Sequence, residues 1–132
     1  MPEVNWIAVG MCAVSSLVLG AIWYSPALFA RQWQTAAGLS EEQASSGNMG
    51  VIFGMAFLLS LAAAAVFAMF LGKDMSLGAA TAAGFAAGLF WVAASYGINY
   101  LFERRPMRLW LINGGYHTLQ FTLFGLILGL MR

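Results

Sequence analysis

The chain has 132 residues, 61% of them hydrophobic and 8% charged, with a formal net charge of +1. That balance excludes a water-soluble globular domain, and with no basic face or acidic tail it offers nothing to nucleic acid or to a cationic protein partner. The single cysteine, Cys12, lies in an apolar run with no second sulfur to bridge to or to share a metal with, and it reads as a small buried hydrophobe.

The first apolar stretch runs from Val4 to Tyr24. It is near the roughly 20 residues that cross about 30 Å of hydrocarbon, it has no basic segment before it, and it ends in Trp23-Tyr24-Ser25-Pro26 rather than at a small-residue cleavage site. It is therefore expected to be a retained span. Residues 26–47 form an interfacial segment. Pro26 suits a first helical turn, Phe29, Trp33 and Ala37 recur at a spacing of four, and Gly38 can end that short helix. Ser40 and Gln43 then have the spacing of a capping box for a second short helix, with Glu41 and Glu42 in its first turn and Gly47 as its stop.

Three further apolar stretches follow, Asn48 to Leu71, Leu77 to Leu101 and Met107 to Met131. Apolar runs of this length satisfy their backbone in lipid as helices, since barrel strands would be shorter and alternating. The expected fold is an all-α membrane protein, one membrane domain over residues 1–132, with four transmembrane helices in an antiparallel bundle and short interfacial helices in the first loop. Both termini and the turn Gly72 to Ser76 then share one side, A; the loops at 26–47 and 102–106 share the other, B. Side B holds Arg31, Arg104, Arg105 and Arg108 against Lys73 and Arg132 on side A, which places side B in the cytoplasm and the termini outside it. Trp23, Tyr24, Trp33, Tyr100 and Trp110 collect near side B as an aromatic belt.

Two kinds of pattern carry information beyond the spans. Gly50 and Gly54, Gly84 and Gly88, and Gly125 and Gly129 are each four apart, a spacing that lets helix backbones meet closely, within one chain or between copies of a homo-oligomer. Polar residues inside spans are costly, and here they are ordered. Ser95, Asn99 and Glu103 are spaced by four on the third stretch; Asn113, His117 and Gln120 are spaced by four and three on the fourth. With a short connecting loop, these two faces are expected to meet in the side B half, with Tyr24, Ser25 and Asn48 at the same depth. Asn99, Glu103, Asn113, His117 and Tyr24 are thus the candidate substrate or proton site, and Gly84, Gly88, Gly125 and Gly129 the candidate helix contacts.

The segments Trp23-Tyr24-Ser25-Pro26, Gly38-Leu39-Ser40-Glu41-Glu42, Asn99-Tyr100-Leu101-Phe102-Glu103 and Leu109-Trp110-Leu111-Ile112-Asn113 with Gly115-Tyr116-His117 resemble the bacterial family called domain of unknown function 1761. The likeness covers nearly the whole chain. It implies a bacterial four-span protein of the inner membrane and supplies no activity.

Two functions compete. One is a small oligomeric transporter or channel-like protein acting on a small molecule or ion; the other is a non-catalytic membrane component whose polar stripe only fixes helix packing against lipid and partner helices. An enzyme is not expected. One histidine cannot build a multi-histidine metal centre, no nucleophile-elbow motif marks a serine, and no Walker or dinucleotide fingerprint is present, so neither metal nor cofactor is assigned.

Overall fold

The computed structural model describes residues 3–131; Met1, Pro2 and Arg132, the last counted above in the charge of side A, lie outside them. The described residues form six helices: α1 (Trp6–Trp23), α2 (Ala30–Ala37), α3 (Glu41–Ser45), α4 (Met49–Leu71), α5 (Leu77–Glu103) and α6 (Met107–Leu130). No strand occurs among them. Three of the helices, α1, α4 and α5, are long and apolar enough to cross a membrane. The fourth long helix, α6, has the length, at 24 residues, but carries Asn113, His117 and Gln120 in its middle.

Helix ends leave backbone N–H groups unpaired, and side chains close the starts of α1, α3, α4 and α5 locally. Asn5 accepts from the amides of Ile7 and Ala8, Asn48 from Val51 and Ser76 from Ala79, while Pro106 opens α6 with a residue that has no N–H of its own. The capping box at Ser40 and Gln43 forms as the spacing predicts, and Gly38 ends α2 at φ 74°. Asn5 Nδ2 also donates to the Met131 carbonyl at 2.5 Å, and Glu3 pairs with Lys73. The start of α1, the α4–α5 turn and the end of α6 therefore share the end called side A.

The core lies toward that end. Phe124 is fully buried among Val9, Cys12, Ala64, Phe67 and Ala68, with Phe121 at 5.1 Å between ring centroids. Burial on α4 begins only at Ser60; Val51, Ile52, Phe53, Met55, Leu58 and Leu59 are all exposed. Helix α4 packs chiefly on α1, whereas α5 packs on α6 along its length, so α4 and α5 diverge from their shared turn and the bundle opens toward side B.

All four candidate contact glycines lie between α5 and α6. A β-carbon on Gly84 would sit 2.1 Å from the Phe121 carbonyl oxygen, one on Gly88 2.7 Å from that of His117, and one on Gly125 2.1 Å from that of Ala80. One on Gly129 would meet Leu77 at 2.9 Å. Backbone thus touches backbone, as small residues four apart allow. These faces are consumed inside the chain; Gly54 has open space where a β-carbon would go.

Helix α5 is not regular. Residues Ala87–Ala93 form a π-helical turn, which inserts one residue relative to an α-helix. At its end the Ala93 carbonyl accepts a hydrogen bond from Trp110 Nε1 at 2.8 Å, and Gly97 leaves room for that indole, since a β-carbon there would lie 2.9 Å from Nε1. Trp110→Phe should leave a buried carbonyl short of its donor and lower stability by about 1 to 3 kcal/mol. A detergent melting curve measures this against Trp91→Phe, whose ring is 70% exposed; equal melting temperatures for the two variants would show that the indole does not hold the π turn.

Candidate functional site

The site is built on α6, whose residues Asn113, Tyr116, His117 and Gln120 face α1 and the second half of α5. Asn113 is held at both ends of its amide: Tyr24 Oη donates to Oδ1 at 2.6 Å, and Nδ2 donates to Tyr100 Oη at 2.9 Å. One turn on, His117 stacks on Tyr96 with ring centroids 5.0 Å apart and planes at 14°. Tyr116 meets His117 edge-on at 4.9 Å and donates its hydroxyl proton to the Ser16 carbonyl at 2.9 Å.

Below this a directional chain of hydrogen bonds runs into α1. Gln120 Nε2 donates to Ser16 Oγ at 2.9 Å, and Ser16 Oγ donates to the Cys12 carbonyl at 3.4 Å. Gln120 Oε1 is therefore the acceptor facing His117 Nδ1 at 2.8 Å, which requires the imidazole proton on Nδ1. Nε2 is left with a lone pair and without a hydrogen-bond partner among the described residues.

These groups border a cleft of about 730 Å³ between the diverging helices. Tyr24, Tyr96, Asn113, Tyr116 and His117 line it on one side, Leu17, Ile52, Phe53 and Ala56 on another, and Trp33 of α2 stands beside Tyr24 at 5.5 Å. No Asp, Glu, Lys or Arg lines it.

Of the candidate site, the structure brings Tyr24, Asn113 and His117 together and leaves Asn99 and Glu103 out. Both are exposed; Glu103 pairs with Arg105 at 3.5 Å, and Ser95 turns back to the Trp91 carbonyl at 2.6 Å. The reason is the π turn. In an unbroken α-helix the row through Gly84 and Gly88 continues to Ser95 and Asn99, the face expected to meet α6. One inserted residue turns that face away and puts Tyr96 and Tyr100 in its place. Sequence reasoning missed those two tyrosines, Tyr116 and the Ser16 link; the four-residue spacing of Tyr96 and Tyr100, one step along from the polar row, was the available signal.

A family model described as "Protein of unknown function (DUF1761)" matches residues 7–129. The chain belongs to that family. No curated protein and no solved structure matches it. The DUF1761 match runs from α1 into the last turn of α6, so every residue of the cleft lies within it.

Proposed function

We propose that this DUF1761 protein is a four-span protein of the bacterial inner membrane, with side B in the cytoplasm, that binds a small amphipathic molecule in the cleft at His117 as the loading step of transport. The observation that carries the reading is the cleft itself, with a hydrogen-bonding aromatic side facing an apolar one and the single histidine at its border. Small-molecule sites are concave and mostly apolar, with a few fixed polar groups. For α6 as the fourth span, 24 residues give about 36 Å at about 1.5 Å per residue, and its mid-helix polar groups are bonded inside the bundle rather than turned to lipid.

A second reading, in which the polar row only packs helices, is favoured by one fact: no buried side-chain nitrogen or oxygen among the described residues lacks a hydrogen-bond partner. The two differ in whether water reaches the cleft. In a Cys12→Ala background, cysteines at Ser45 and Ala56 should react with an impermeant methanethiosulfonate added to inside-out vesicles, and one at Asp74 in right-side-out vesicles. Reaction at Ser45 from outside, with Asp74 protected, inverts the orientation. An Ala56→Cys protein that reacts no faster than Leu59→Cys, outside the cleft, leaves the packing reading in place.

A further inference from the structure

Four of the polar groups around the cleft have their protons already committed, while the Tyr96 hydroxyl and the Trp33 Nε1–H have no acceptor among the described residues. Tyr24 gives its hydroxyl proton to Asn113, Tyr116 to Ser16, Ser25 to the Ile22 carbonyl and His117 its Nδ1 proton to Gln120. What these four groups have left for a ligand is lone pairs. Around them stand the rings of Tyr24, Trp33, Tyr96 and Tyr116, and the ring planes are not parallel: Tyr24 meets Trp33 at 69° and Tyr116 at 51°. Aromatic faces carry negative potential and attract cations, above all desolvated ones.

From this geometry we infer that the cleft selects an organic cation with diffuse charge, a tertiary or quaternary ammonium on an apolar body. The inference rests on the cleft being a binding site, as proposed above, and adds the chemical class. An anion finds no lysine or arginine there, and the four committed groups have no proton left to give it. A metal ion or other small hard cation would leave its water without a carboxylate to replace it; no acid lines the cleft, and no set of three His, Cys, Asp or Glu suited to a metal occurs among the described residues. A methylated ammonium holds its water weakly, so rings and lone pairs suffice to hold it, and Leu17, Ile52, Phe53 and Ala56 cover the hydrocarbon.

The test uses the full chain in zwitterionic nanodiscs, with empty nanodiscs as blank. Calorimetric titration compares benzyltrimethylammonium, its neutral isostere neopentylbenzene, and benzylsulfonate. The ammonium should bind at least tenfold more tightly than the isostere, and the sulfonate should not bind. Trp33→Leu, at a partly exposed position on α2, should weaken ammonium binding roughly 2- to 30-fold, as follows from about 0.5 to 2 kcal/mol for a cation on a ring face, with Trp33→Phe in between. Ala56→Trp, which fills the cleft from its apolar wall, should abolish binding at unchanged melting temperature. Equal binding of ammonium and isostere, both lost in Ala56→Trp, overturns the cation and keeps the cleft. Binding of none of the three compounds, or binding indifferent to Ala56→Trp, overturns both.

Discussion

Gly84→Ala and Gly125→Ala are each expected to lower the stability of the detergent-solubilised protein by an amount at the upper end of about 1 to 3 kcal/mol, and the leucine variants by more. The added carbon meets a backbone carbonyl oxygen at 2.1 Å in both cases, and a carbonyl on a facing helix cannot swing aside as a side chain would. Helices α5 and α6 have to separate, and the dispersion contacts along their whole seam weaken together. Gly54→Ala is the matched control. Its β-carbon enters open space, and alanine is the better helix former, so that variant should melt at or above the wild type. Wild-type melting of both Gly84→Ala and Gly125→Ala would contradict the close α5–α6 contact. Because the contact is internal, the loss should appear as unfolding of the single chain, independent of protein concentration, and not as dissociation of an oligomer.

His117→Gln is expected to leave melting nearly unchanged while reducing uptake of a benzyltrimethylammonium tracer into proteoliposomes about tenfold or more. A glutamine amide can still donate to Gln120 Oε1, so the chain through Gln120 and Ser16 to the Cys12 carbonyl keeps its members. What disappears is the imidazole stacked on Tyr96, with its Nε2 lone pair. A tenfold loss corresponds to about 1.4 kcal/mol, within the range of one hydrogen bond or one ring contact. Gln120→Leu is the converse probe. It strands the Nδ1 proton and removes the donor to the buried Ser16, so it should cost stability first, by about 1 to 3 kcal/mol. If His117→Gln takes up the tracer at the wild-type rate and is stable, the histidine serves packing alone.

Much of this protein is written locally and can be read locally. The apolar lengths of α1, α4 and α5 match the hydrocarbon thickness they would cross, and the starts and stops at Asn48, Ser76, Gly38 and the Ser40–Gln43 box depend on groups within four residues of one another. The glycine pairs on α5 and α6 announced close contact, but a spacing of four cannot say whether the facing backbone belongs to the same chain; only the packing of Gly84 on Phe121 and of Gly125 on Ala80 decided that. Likewise the polar row Asn113–His117–Gln120 was legible because α6 is regular throughout, so residues spaced by three and four do share its face. The row Ser95–Asn99–Glu103 obeyed the same arithmetic and led to the wrong face. Its premise, an unbroken 3.6-residue period, fails at the π turn Ala87–Ala93, whose last carbonyl accepts from an indole of the next helix, 17 residues away at Trp110. A π turn packed against a neighbouring helix leaves no trace in the local period, and with it the tertiary structure exchanged two polar residues for two tyrosines on the face that meets α6.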